Sequence, residues 1–218
     1  MKLNESLLTV SRIIGCSVLA LAAMAGVANA QILGSAYFVT EAQSQNAVIG
    51  FTHGAPNATF LSPNGAINFT SAPGYTLSDF LLSNTGTTIL TGSTSDLSRA
   101  LDTAAGGTML ELTGQVSVTN GQTFTVQHDD GLQLQIGSVL VVNTPGPTAP
   151  TVTTVTYTGP TGTFSFDLVY GECCGAPAVL ATSLPLVGAV PEPESYAMLA
   201  AGLGVIGFVG RRRKQRAA

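Results

Sequence analysis

The chain has 218 residues, 8 of them Lys or Arg against 12 Asp or Glu, and only 9% are charged. Between residues 31 and 189 the one Lys or Arg is Arg99. That scarcity excludes nucleic acid as a partner, because phosphate binding needs clustered cations. The same stretch is rich in Thr, Ser, Gly and Asn. It suits an exported, surface-exposed β protein, with cations or neutral polar ligands such as sugars favoured over anions.

The first element is a targeting segment. Lys2 and Arg12 flank a weakly charged start, and an apolar stretch follows over 13–27. Ala28-Asn29-Ala30 then places small side chains where a signal peptidase needs them. Residues 1–30 are therefore predicted to be a signal peptide, cut after Ala30. The alternative is an uncleaved anchor, but the apolar run falls short of the ~20 residues of a membrane span. Ile13-Ile14-Gly15-Cys16 resembles a lipoprotein box, yet it opens the apolar region where such a box closes one. Residues 31–189 remain as the exported body, long enough for one domain with its own core.

Within the body, alternating apolar patterns dominate and predict strands. The early ones fall at 35–40, 47–52 and 66–70. Two short helices are expected: Leu77, Phe80 and Leu81 share one helical face, and so do Leu97, Ala100 and Leu101. Asp96 is the expected cap of the second. Strands at 109–112 and 116–118 follow, separated by Gly114. "TFTVQHDDGLQLQIG" then reads as a hairpin, with Phe124, Val126 and His128 on one face and Leu132, Leu134 and Ile136 on one face after the turn. A Pro-rich connection covers 143–151. In the strand after it Phe164, Phe166, Leu168 and Tyr170 alternate with smaller or polar residues. A turn containing Cys173 and Cys174 leads to a last strand. Many short strands with turn signals between them predict an all-β fold, a β-sandwich.

Three features carry chemistry. Asp129-Asp130-Gly131 reads first as a tight turn, since Asp-Gly supplies the positive φ of hairpin loops. Its functional reading is calcium: adjacent carboxylates on a loop offer hard oxygen donors, of which calcium takes about 6–8. On that reading Asp130→Ala removes a donor while folding survives. Cys173 and Cys174 lie on an oxidising export route that permits disulfides. They are expected to pair with each other, the alternatives being free thiols, bridges to another chain, or a metal site completed by His53 or His128. His53 reads as a polar loop residue and His128 as belonging to the turn. No serine is marked by a nucleophile-elbow pattern, and no Asp or Glu pair stands out for glycosidase chemistry. The body is therefore expected not to be an enzyme, with no catalytic residues.

The chain closes on Pro191-Glu192-Pro193, an apolar run over 196–210, and Arg211, Arg212, Arg213, Lys214 and Arg216. The two prolines hold the box extended. The basic cluster marks the cytoplasmic end of a membrane helix at about 195–210 by the positive-inside rule. The run is short for a bilayer about 30 Å thick, which thinning or flanking residues accommodate.

Residues 190–218 resemble the PEP-CTERM sorting signal of Gram-negative bacteria. Val190-Pro191-Glu192-Pro193, the Gly-containing span and Arg211-Arg212-Arg213 stand in the family order. The resemblance implies an inner-membrane precursor and recognition by an exosortase. It also implies removal of the tail near the Pro-Glu-Pro box and delivery to the cell surface or biofilm matrix. A second resemblance covers 108–184. There "TFTVQHDDGLQLQIG", "YTGPTGTFSFDLVY" and "GECCGAPAVL" are similar to the anthrax-protective-antigen-like β-sandwich of carbohydrate-binding adhesins and glycosidases. It implies that Asp129 and Asp130 hold a calcium ion that orders sugar hydroxyls. The leading expectation is thus a non-catalytic, calcium-assisted module for an exopolysaccharide glycan. A purely structural matrix protein and a glycan-acting hydrolase are the alternatives.

Overall fold

The structure is a computed structural model and describes residues 31–62, 66–103 and 106–188. The expected signal peptide with Ala28 and Ala30, and the expected sorting signal with Pro191, Glu192, Pro193 and the arginines, lie outside the described residues. Among the described residues no helix is long and apolar enough to cross a membrane. The expected span at 195–210 falls outside them.

Two antiparallel sheets face each other, as an all-β sandwich requires. Strand β1 is Ile32–Phe38, β2 Ala58–Ser62, β3 Ile67–Thr70, β4 Thr88–Gly92, β5 Thr108–Val118 and β6 Thr123–Asp129. Strand β7 is Leu132–Ile136, β8 Val139–Thr144, β9 Thr151–Thr156, β10 Gly162–Glu172, β11 Val179–Thr182 and β12 Leu186–Val187. The large sheet runs β4-β2-β1-β5-β10-β7-β8, with β12 also on β5; the small one runs β3-β11-β6-β9. Early and late strands thus interleave in both sheets. Alternation buries one face of each strand against the opposite sheet. Phe60, Phe69, Leu110, Leu112, Val126, Leu134 and Leu168 meet there in one core. On the outer face of the large sheet Tyr37, Met109 and Val169 form a second apolar cluster with Ala47.

Among the described residues three short helices complete the fold: α1 Glu41–Ser44, α2 Leu77–Ser83 and α3 Thr94–Leu97. The α2 face is the one the periodicity predicts, with Leu77, Phe80 and Leu81 buried. Its capping box is closed by Thr76, which accepts from Asp79 N and whose own N–H is held by the Asp79 carboxylate. The cap of α3 is Ser93, not Asp96; Asp96 sits inside the first turn and its N–H is what Ser93 Oγ accepts. Leu101 is buried beyond the end of α3.

Four further expectations are corrected. Residues 47–52 form no strand; they cross the outer face, where Ala47 N donates to Pro145 O at 3.0 Å and Ile49 N to Gln133 Oε1 at 2.8 Å. Gly114 does not separate a pair of strands. It lies within β5 opposite Phe166, whose ring comes 2.7 Å from where a Cβ would stand. The Pro-rich connection is shorter than expected, because 139–144 form β8 and hairpin back onto β7. Finally β6 and β7 are not a hairpin. β6 pairs with β11 and β9 in the small sheet, and β7 with β10 and β8 in the large one. Residues 129–131 therefore arch between the sheets. Both strands turn their apolar side chains to the core, which is why their alternation looks the same as that of a hairpin.

Candidate functional site

The arch brings together the ends of β6 and β10, the loop at 145–150 and the turn at 173–178. Gly131, just before β7, makes this crossing because it is small. Its φ is not positive, but a Cβ there would collide with the carbonyl of Pro145. The peptide bond between Asp129 and Asp130 is cis. His128, expected as a turn residue, is a 1% exposed strand residue. Its Nδ1 lies 2.6 Å from Asp130 O and its Nε2 3.2 Å from Thr153 Oγ1. Because a carbonyl can only accept, Nδ1 carries the proton and the ring is a fixed spacer beneath the arch.

Both acids are largely buried, Asp129 at 7% and Asp130 at 5% exposure, but they do different things. Asp130 is committed to the fold: Oδ1 accepts from Thr148 N at 3.1 Å and Oδ2 from Cys173 N at 2.8 Å. One carboxylate thus ties two loops to the arch. Burial pushes its pKa up, and the two backbone N–H groups pull against that. The Asp129 carboxyl has no hydrogen-bond partner among the described residues and opens on a cavity of about 430 Å³ shared with Asp130, Thr148, Cys173 and Cys174. Burial, then the neighbouring Asp130, pushes the Asp129 pKa up to about 6. Cys173 and Cys174 are joined as a disulfide between adjacent residues at the rim.

Beneath the arch lies a pair that the sequence did not single out. The Tyr170 hydroxyl, near the end of β10, lies against the Asp129 carbonyl and 2.6 Å from Glu172 Oε2. One hydroxyl hydrogen cannot serve both acceptors at once. The second contact is satisfied when Glu172 keeps a proton of its own. Its environment favours that: burial, with Asp130, Asp129 and Asp102 adding to it, outweighs the Tyr170 hydrogen bond and pushes the Glu172 pKa up to about 9. The strand alternation of Phe164 to Tyr170 hid this pair, and a lone acid ending an apolar strand was the signal available. His53 takes no part. It packs at a tilt against the outer-face cluster, its ring centroid 4.1 Å from that of Tyr37 and 4.7 Å from that of Phe51.

The donors suit a hard cation only in some respects. Asp129 offers a free carboxylate, Asp130 its remaining lone pairs, and backbone carbonyls and water would supply the rest of calcium's about 6–8 oxygens. Asp130, Cys173 and Cys174 bring one ligand atom each within 4.8 Å of one another. With the sulfurs bonded to each other, that trio offers calcium nothing beyond Asp130.

Residues 189–214 match the PEP-CTERM protein-sorting motif. No curated protein matches this chain. Among solved structures, the PA14 sugar-binding domain from an RTX adhesin superposes with a TM-score of 0.52 at 23% identity, over 72% of this chain and 90% of that one. The PA14 domain of the MpAFP antifreeze protein gives 0.47 at 18%, over 72% and 86%. A β-glucosidase from Kluyveromyces marxianus gives 0.39 at 13%, over 79% of this chain and 18% of its own. The chain therefore carries a PEP-CTERM sorting motif, which implies export through a membrane-anchored precursor and exosortase processing, behind a β-sandwich with the PA14 fold.

Proposed function

We propose that this protein is an exosortase-processed surface protein whose sandwich binds a glycan, without catalysis, at the arch carrying Asp129 and Asp130. The observation that carries the reading is the Asp129 carboxyl, without a partner among the described residues and open to the cavity beside it. Calcium bridging Asp129 and Asp130 to sugar hydroxyls is the finer form of the proposal. Extracellular calcium is plentiful enough for a site with a Kd on the order of 10⁻⁴–10⁻³ M. The structural neighbour named for sugar binding agrees with this reading. An exopolysaccharide of the biofilm matrix is the proposed partner, reached by the route the sorting motif implies.

A glycan array probed with the purified protein, in millimolar calcium and in chelator, tests it. The expected result is capture of a subset of glycans that is lost with Asp129→Asn and weakened by chelator. Calorimetry should show calcium binding that the same substitution removes. Capture unaffected by chelator would remove the calcium and keep the glycan. No capture under either condition would favour a structural matrix protein, the reading to which the clamping role of Asp130 lends weight. Turnover of exopolysaccharide in a hydrolase screen would overturn the non-catalytic claim.

A further inference from the structure

A second cavity adjoins the arch. It has a volume of about 240 Å³ and is lined by Ser71, Tyr75, Asp102 and Glu172, among others. It shares Gly175 and Ala176 with the cavity at Asp129, so the turn after Cys174 is a wall common to both. We propose that this cavity is a subsite for the ammonium group of an amino sugar, held by Asp102 and Glu172. The inference rests on the glycan reading above and names the sugar class.

Glu172 points to a ligand. Its side chain is 2% exposed, yet it lines the cavity. Oε2 is held by Tyr170, while Oε1 has no hydrogen-bond partner among the described residues. Among those residues no cation answers it or Asp102. Arg99 is the only Lys or Arg between residues 31 and 189. Its guanidinium lies 3.9 Å over the Phe38 ring and donates to Gly106 O at 3.4 Å. A bound ammonium brings N–H donors to Oε1 and a charge that favours the ionised carboxyl, so Glu172 releases its proton to solvent as the amino sugar binds.

A metal ion fits less well. Among the described residues the one group of three or more metal-ligating side chains that converges is Asp130, Cys173 and Cys174. Asp102 and Glu172 belong to no such cage, so an organic cation spanning the cavity suits them better. The volume lies below the ~300–1,000 Å³ of drug-sized sites and matches a single sugar unit. Tyr75, 40% exposed, presents a ring for the apolar face of that sugar. Ser71 Oγ accepts from Ala178 N at 2.7 Å and keeps its own hydrogen for a sugar hydroxyl.

The test is a calorimetric or NMR titration of the purified protein, in chelator, with glucosamine, N-acetylglucosamine and glucose. Glucosamine should bind about tenfold tighter than the other two. Asp102→Asn and Glu172→Gln should each weaken it about tenfold. Ala72→Leu fills the cavity without changing charge and should block all three sugars, with a melting curve confirming that the variant is folded. Glucosamine binding no tighter than N-acetylglucosamine, or binding lost with Asp129→Asn but kept in Asp102→Asn, overturns the subsite. Asp129-dependent glycan capture with no amino-sugar preference overturns it too, and leaves the glycan reading standing. No capture of any glycan or sugar overturns both.

Discussion

Asp130 and Asp129 are neighbours with opposite duties. As a loop acid, Asp130 should be dispensable for folding. In the fold it is the acceptor for two backbone N–H groups from separate loops. Asp130→Ala leaves both without partners, and losing charge-assisted bonds of this kind costs about 2–4 kcal/mol in total. Chemical denaturation should show that loss, with Asp129→Asn costing less than about 1 kcal/mol, since it removes no protein hydrogen bond. Equal stability of the two variants would refute the division of labour. Glu172 adds a pH dependence. Unfolded, its carboxyl titrates near 4.5, and in the fold at about 9. Between those values the folded state holds the extra proton, so stability is full below the lower one and is lost as pH rises towards the upper one. Melting temperature in chelator should therefore fall from about pH 5 to pH 9, and Glu172→Gln should flatten that slope. A profile that stays level or rises in the unsubstituted protein would count against a protonated Glu172.

At the scale of elements, alternation located most strands and said nothing of their partners. Phe124, Val126 and His128, then Leu132, Leu134 and Ile136, face the core whether the strands pair in one sheet or oppose each other across two. The latter arrangement holds here, because Tyr170, Thr148 and Cys173 supply the arch with donors no local turn contains. The 47–52 stretch has strand composition but pairs with no strand among the described residues; it packs instead against Tyr37 and Met109 on the outer face. The Cys173–Cys174 turn carries its own expectation. The purified exported protein should run as a monomer on non-reducing gels, and thiol labelling should be negligible before reduction. Replacing both cysteines by serine should alter stability only modestly, since closing so small a loop removes little chain entropy. A reducible dimer, or two thiols labelled at once, would rule that pairing out.

For the whole molecule, the sorting motif at 189–214 sets the route and the sandwich sets the cargo. Surface-exposed protein should lack 196–218 in mass spectra of its C-terminal peptides. Replacing Pro191 and Pro193 with alanine should hold the precursor in the membrane fraction. Intact tail peptides outside the cell would sink the processing model. The destination was legible in the chain itself, because a sorting signal is read as a linear string whose order of box, apolar run and arginines is the information. So were the all-β class and the α2 face, each a matter of local periodicity. What only the tertiary structure decided was which sheet each strand joins, that Asp130 clamps while the Asp129 carboxyl has no partner among the described residues, and that Tyr170, Glu172 and Asp102 gather under the same arch. Those outcomes depend on hydrogen bonds and burial between residues 18 to 43 positions apart. No local pattern encodes such pairings, because the free energy that selects them exists only once both sheets have closed on one core.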